Sequence, residues 1–454
     1  MVMMQLKEAA AALATSLDGA DVTIRSVSTD TRTLTEGALF VALRGERFDG
    51  HDFVHTAIEA GAAAALVEEG RDDARWTVPL VRVPDTRRAL GQLARWWRGR
   101  FDIPVITVTG SNGKTTVKEM TAAILRAHHG NEAVLATAGN FNNDIGLPLT
   151  VLGLRPGHRC AVIEIGMNHP GETRYLADIA QPTVALVNNA QREHQEFMQS
   201  VLEVAKEHAA SIEALPADGI AVFNGDDDYA HIWRQAAGTR TVRDFGLDSR
   251  CAVHATPRLT ATGSELDMHT PEGRVNVVLQ VAGLHNARNA LAASAAATAT
   301  GAPLEAVARG LGGFQAVKGR LQFKRGQRGA TLIDDTYNAN PDSVRAALDV
   351  LVQHDAPRVF VLGDMGEVGS EGPAFHQEIG LYAKRLGIEH LYTLGTLSAD
   401  ASRAFGEGAE HLESIEAVVE RVRALLPQRP CVLVKGSRFM RMERVVEQLE
   451  AGQP

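Results

Sequence analysis

Cysteine is scarce in this 454-residue chain, with only Cys160, Cys251 and Cys431 present. Their odd number and wide separation exclude a disulfide framework and a clustered zinc site, and the three read as buried free thiols. An excess of positive charge is missing too. A formal net charge of −9 excludes a nucleic-acid binder working through broad positive potential and leaves only a local basic cleft around an anionic small molecule. No stretch approaches a membrane span. The N-terminal MVMMQLKEAAAALATSLDGAD lacks both a basic start and a continuous apolar core, so it reads as a short amphipathic helix rather than a secretion signal. The expected location is the cytoplasm.

What is present is an ordinary globular composition, 45% apolar and 22% charged, in a chain long enough for two or three domains. Residues 1 to about 100 mix short strands with helices (VTIRSVSTDTR, ALFVAL, HDFVHTAIEAGAAAALVE, VPLVRVPDTRRALGQLARWW) and predict a small α/β module. A second unit, 101–320, opens on the strand IPVITV and continues through a helix from about Lys114 to Ala127 and the strands CAVIEIG, TVALVNN and GIAVFNGDD. Strands alternating with helices imply a mostly parallel sheet covered on both faces. Alternating β-type residues follow between Cys251 and Ala282, and LHNARNALAASAAATAT reads as a helix. A third unit, 321–454, repeats the alternation with TLIDD, a helix after Pro341, RVFVLGD, a helix around HQEIGLYAKRLG, HLYTLG and CVLVKGSRFMRMERVVEQLEA. It reads as a small doubly wound domain in which Lys435, Ser437 and Arg438 open the last helix. No internal repeat or low-complexity linker interrupts the chain.

The chemistry concentrates at TGSNGKTT, Thr109 to Thr116, between an apolar strand and a helix. Gly110, Ser111, Asn112, Gly113, Lys114, Thr115 and Thr116 would gather backbone N–H groups, a helix N-terminus and an ammonium at one point, which suits a polyphosphate. Val108 stands where the longer G-x-x-x-x-G-K-[ST] pattern has glycine, so the loop is a compressed variant. Lys114 would bridge β- and γ-phosphates and the Thr115 hydroxyl would bind Mg²⁺. By itself the loop also permits a nucleotide-dependent switch protein. Glu164 ends the apolar strand CAVIEIG, where a carboxylate is costly unless paired or metal-bound; a salt-bridged strand end and a metal ligand both account for it. His194 in AQREHQEF is either a surface histidine or a second ligand. TAGNFNNDIG (137–146), LHNARNA (284–290), DDTYNANP (334–341) and VKGSRF (434–439) each carry dense polar groups at element ends, where turn and cap chemistry alone would also favour them.

In their order, TGSNGKTT, GNFNNDIG, VIEIG, LHNARNALAA, KGRLQ, DDTYNANP, LGDMGEVG and LVKGSR resemble the Mur ligases, ATP-dependent amide-forming enzymes of peptidoglycan precursor synthesis, over essentially the whole chain. The resemblance implies a three-domain α/β fold: a uridine-nucleotide-binding domain, a central P-loop ATPase-like domain and a C-terminal Rossmann-like domain. DDTYNANP, LGDMGEVG and VKGSR, with no D-N-P-R pattern, point within the family to the reaction that joins D-alanyl-D-alanine to UDP-MurNAc-tripeptide through an acyl phosphate. The alternatives are the ligase adding the third amino acid and folylpolyglutamate synthase, which lacks an STDTR-type domain. ATP and Mg²⁺ are the implied cofactors, and a monomer is the default.

Carried over by motif, Lys114, Thr115, Glu164 and His194 serve phosphates and metal, and Asn289, Arg320 and Asp335 reach the nucleotide. Ser28, Asp30, Thr31 and Arg32 hold the uridine nucleotide, Asn142 and Asn143 lie near its peptide, and Asn338, Lys435, Ser437 and Arg438 face substrate. The chain departs from the family at one position. His208 stands where related ligases carry a carbamylated lysine, and Lys206, two residues earlier, falls roughly 200° round the helix. The expectation is that no carbamate forms and that Glu164, water or His208 takes its part.

Overall fold

The computed structural model describes residues 2–193 and 196–452. The fold is α/β, organised around successive sheets. The first has strands β1 (Leu17–Asp18), β2 (Ser26–Ser28), β3 (Ala38–Val41), β4 (Ala64–Glu68) and β5 (Leu80–Val83) in the order β1-β5-β4-β3-β2. All its pairings are parallel except β1 with β5. Helix α1 (Thr86–Arg98), capped by the Asp85 carboxylate, leads to the central sheet. Leu90, Leu93 and Trp97 of α1 share one core with Leu147, Val151, Leu176 and Ile179, so the first unit rests on a face of the second.

The central sheet is wholly parallel. Its strands are β6 (Val105–Thr109), β7 (Val134–Ala136), β8 (Cys160–Glu164), β9 (Val184–Val187), β10 (Ile220–Phe223) and β11 (Thr241–Val242), in the order β11-β10-β9-β6-β8-β7. The fully buried runs in β6, β8 and β9 are what a sheet covered on both faces requires. Because β6 is flanked by β8 and β9, chain connections leave it in opposite directions and open a crevice beyond its carboxyl end. From there α2 (Lys114–His129) runs back over the sheet, and α3 (Val201–Glu213) lies further along.

A four-stranded sheet follows: β12 (Phe245–Gly246), β13 (Val253–Leu259), β14 (Ser264–Thr270) and β15 (Gly273–Leu279). Between it and the central sheet lies α4 (Leu284–Ala299), buried along most of its length. Its alanines combine strong helix propensity with small volume, which lets both neighbours approach it closely.

The last sheet comprises β16 (Gln322–Arg325), β17 (Thr331–Asp335), β18 (Arg358–Gly363), β19 (His390–Leu394), β20 (Ala409–Leu412) and β21 (Cys431–Lys435), ordered β16-β17-β21-β18-β19-β20. Only the β16–β17 pairing is antiparallel. The last strand in the chain thus lies in the middle of its sheet. The expectation that Lys435, Ser437 and Arg438 open the last helix is corrected: Lys435 ends β21, Arg438 begins a single 3-10 turn, and the helix starts at Glu443. The left-handed conformation of Arg441 breaks the path between them. All three cysteines are buried and free, their thiols pushed up to about 12 by burial. Among the described residues no helix is long and apolar enough to cross a membrane.

Helix α5 (Leu304–Gly312) packs on α2, and Gly310 makes that approach possible. A Cβ there would stand 2.5 Å from Ile124 Cα and 2.6 Å from Ile124 N, backbone atoms that cannot rotate away. Gly310→Ala is expected to lower unfolding free energy by about 1–3 kcal/mol, measured by urea denaturation. A loss too small to resolve would contradict the close packing.

Candidate functional site

Beyond the carboxyl end of β6 lies a cavity of about 1240 Å³, lined by residues from Arg87 through Lys435. Gly113 starts α2 with φ +82°, and no side chain caps the helix. A Cβ on Gly113 would sit 2.6 Å from Asn289 Oδ1 and 2.8 Å from Asn188 Nδ2, so glycine is required by both conformation and space. The uncapped first turn leaves its N–H groups without intrahelical acceptors, and Gly113, Lys114, Thr115 and Thr116 all line the cavity.

The residues after β9 clamp the loop. Asn189 accepts from Ser111 N through its carbonyl (3.1 Å) and from Asn112 N through Oδ1 (2.8 Å). Asn188 Nδ2 donates to Asn112 O (2.8 Å) and to Asn289 Oδ1 (2.9 Å), and Asn289 Nδ2 donates to Asn286 Oδ1 (3.1 Å). Asn289 is therefore at the cavity, held within a chain of amides. Asn112 also exchanges hydrogen bonds with Asn340 (2.9 and 3.3 Å), the N-cap of α6 (Pro341–Leu351). That cap is reinforced by Ser343 and by proline at the first helical position.

Lys114 Nζ donates to the carbonyls of Gly110 (2.6 Å) and Ser111 (3.2 Å) and to Glu193 Oε2 (3.2 Å). On its other side Glu193 Oε1 is 3.3 Å from His208 Nε2, and His208 Nδ1 meets the Thr109 hydroxyl at 3.0 Å. Thr115 accepts from Arg320 Nη2 (2.9 Å), whose guanidinium lies 4.2 Å from the Tyr337 ring centre. Glu164 is buried at the end of β8. Its Oε1 accepts from Asn142 Nδ2 (2.7 Å), and Oε2 is buried with no hydrogen-bond donor among the described residues. Such an oxygen is costly unless a cation or donor reaches it from the cavity. His194 lies outside the described residues.

The third sheet supplies the facing wall. Lys435 Nζ pairs with Asp335 Oδ2 (2.6 Å) and donates to Asn338 O (2.8 Å), while Asp335 Oδ1 accepts from Leu321 N (3.0 Å). His285 lines the same region, and burial pushes its imidazole down to about 4, so it is neutral near pH 7. Arg192 spans the two units, binding Asp342 (2.7 Å) and Glu378 (2.6 Å); the Glu378 hydrogen bonds, foremost, hold its pKa above the usual guanidinium range. At the opposite rim Arg87 of α1 donates to Asp144 (2.7 Å).

Several expected residues lie elsewhere or are otherwise engaged. Asn143 lines the cavity, but its Oδ1 accepts from Ile145 N and Gly146 N as a local cap. Ser437 is buried, donating to Ala339 O (3.1 Å) and accepting from Gly366 N (2.7 Å), and Arg438 pairs with Glu443 (2.9 Å); neither lines the cavity. Ser28, Asp30, Thr31 and Arg32 form a separate turn after β2, also off the cavity lining. There Ser28 and Asp30 bond to each other, and the Arg32 side chain, bound to Asp30, holds that carboxyl at about 2. Sequence reasoning missed Asn188, Asn189, Arg192, Glu193, His285, Asn340 and Arg87 as site residues. NNA directly after a buried strand was a usable signal for the first two.

A parallel sheet that presents an uncapped helix start, a committed lysine and an under-coordinated carboxylate to one cavity defines a nucleotide-binding α/β protein. Family models match in chain order: Mur ligase family, catalytic domain, at residues 23–98; Mur ligase middle domain at 108–297; and Mur ligase, glutamate ligase domain, at 319–438. UDP-N-acetylmuramoyl-tripeptide--D-alanyl-D-alanine ligase of Escherichia coli (strain K12) is 42% identical over 454 residues, covering 99% of each chain. The structure of MurF from Acinetobacter baumannii matches with a TM-score of 0.92 at 34% identity, again covering 99% of each. MurF ligase from Thermotoga maritima in complex with ADP matches with a TM-score of 0.83 at 26% identity, covering 93% of this chain and 96% of that one. The chain belongs to the Mur ligase family.

Lys206 bears on the carbamate question. Its Nζ binds Glu203 (2.8 Å) with 54% of the side chain exposed, whereas His208 on the same helix is fully buried. Mass spectrometry of the intact protein is expected to show Lys206 unmodified; a carbamate there would contradict its position.

Proposed function

We propose that this protein is an ATP-dependent amide ligase that joins D-alanyl-D-alanine to UDP-N-acetylmuramoyl-tripeptide. That reaction is the last cytoplasmic step of UDP-MurNAc-pentapeptide synthesis, on which cell-wall growth, cell shape and division depend. The observation that carries the reading is the full-length 42% identity to a ligase named for this reaction. It is supported by one cavity that gathers the phosphate loop, the Asn142 segment and the Tyr337–Asn340 segment, leaving room for several substrates. In this reading the chain acts as a cytoplasmic monomer, with 1–100 holding the uridine nucleotide through Ser28, Asp30, Thr31 and Arg32, 101–320 holding ATP, and 321–454 receiving the dipeptide.

The tripeptide carboxylate attacks the γ-phosphorus, the bond to the ADP oxygen breaks, and an acyl phosphate forms. The dipeptide amine then attacks the acyl carbon, loses a proton, and phosphate leaves. The Lys114 ammonium and the first-turn N–H groups of α2 stabilise the charge that builds on the phosphoryl oxygens. Arg320, at the end of the second unit, and the Asp335–Lys435 pair of the third line the same cavity, and Asn289 faces the base. Asn142 orients Glu164 and, with Asn143, borders the peptide, while Asn338 and Lys435 form the dipeptide side at the cavity wall and Ser437 and Arg438 stand off the lining, to be reached only by a substrate that extends beyond it. The Oε2 of Glu164, which has no donor among the described residues, and the Thr115 hydroxyl line the same cavity and fit Mg²⁺, which takes one or two protein oxygens along with phosphate and water. Thr115, Glu164 and His194 are its proposed ligands. Held there, Mg²⁺ would supply charge neutralisation for the phosphoryl oxygens.

ADP and phosphate release is expected only when UDP-MurNAc-tripeptide and D-alanyl-D-alanine are both present. Lys114→Ala should reduce amide formation at least about a hundredfold. Turnover with the dipeptide precursor and a single amino acid, or with no acceptor, would overturn the reading.

A further inference from the structure

The three donors of the Lys114 ammonium are all committed, to two carbonyls of its own loop and to Glu193. For the ammonium to meet a phosphate, at least one partner must yield. The Gly110 and Ser111 carbonyls are fixed by the turn itself, whereas Glu193 is a side chain and the anion of the three. Once a polyphosphate arrives, a carboxylate left in place would face like charge at close range inside a largely buried site, where such repulsion is poorly screened. Glu193 has somewhere to go. His208 Nε2 stands 3.3 Å from Oε1, and the ring is fully buried and steadied by the Thr109 hydroxyl. With that hydroxyl donating to Nδ1, an N–H on Nε2 is the group that can donate to Glu193.

We propose that Glu193 is a positioning residue that occupies the Lys114 ammonium in the absence of nucleotide, competes with the incoming polyphosphate for it, and passes to His208 when nucleotide binds. The proposal rests on the nucleotide-binding part of the reading above. Glu193 keeps a partly buried ammonium from standing without an anion, at a cost in nucleotide affinity that also favours release of ADP. His208 lowers that cost by accepting the displaced carboxylate.

Calorimetric titration of ADP into the full-length chain tests this directly, with thermal melts as a control for folding. Glu193→Gln is expected to bind ADP roughly tenfold more tightly than wild type. His208→Phe removes the alternative partner and should bind roughly threefold more weakly. The double variant should match Glu193→Gln, because His208 acts only through the carboxylate. A residue that merely supported the fold would give weaker binding, a lowered melting temperature and additive losses. Should Glu193→Gln fail to fold, Glu193→Ala carries the same test and the same expected direction. Unchanged or weaker ADP binding by a normally melting Glu193 variant would overturn the proposal, as would a His208→Phe loss that persists undiminished in the double variant. Wild-type chain that binds no ADP would overturn the nucleotide-binding reading itself, an outcome distinct from those.

Discussion

The amide of Asn112 is the point on which the site depends. Its backbone is clamped by Asn188 and Asn189 at the end of β9, and its side chain meets Asn340 at the start of a helix in the last sheet's unit. One residue therefore fixes the loop against the central sheet and ties that sheet to its neighbour. Amides suit this role because each offers both donors and an acceptor without carrying charge. The network can be buried beside a polyphosphate site without opposing or neutralising the anion it is meant to receive.

Charge is managed in a different way. The chain is acidic overall, yet Lys114, Arg87, Arg192, Arg320 and Lys435 all line the cavity. Apart from Arg320, which reaches Thr115 and Tyr337, each is paired with a carboxylate: Glu193, Asp144, Asp342 with Glu378, and Asp335 respectively. These carboxylates offset the long-range field of the four cations, so that attraction of an anion falls to short-range contacts within the cavity. Arg320 differs from these four: its guanidinium is shared between the Thr115 hydroxyl and the Tyr337 ring.

The sequence made β6, the loop and α2 legible because a buried strand, a glycine turn and a lysine follow one another without interruption. Glu164 was visible as a carboxylate ending an apolar run. The partners of these residues were not visible. Asn189, Glu193 and Asn340 reach the loop only because β9 lies beside β6 and the last sheet packs against the opening, and such neighbour choices are absent from local pattern. Short elements such as β7 and β20 carry too few residues for alternation to register. The motif that holds Ser437 and Arg438 did not reveal their partners: the first binds backbone groups of Ala339 and Gly366, and the second pairs with Glu443. Even so, the two-residue offset between Lys206 and His208 sufficed to foresee that the two face opposite ways.

The position of β21 bears on how the protein is made. A strand that leaves the ribosome after all its neighbours, yet belongs between β17 and β18, requires those two to wait apart or part again before the sheet can close. Until then Asp335 has no Lys435 to pair with. From the synthesis of Asp335 until Lys435 emerges, the nascent chain accordingly carries an acidic, unfinished edge, and that wall of the cavity is completed only when β21 arrives.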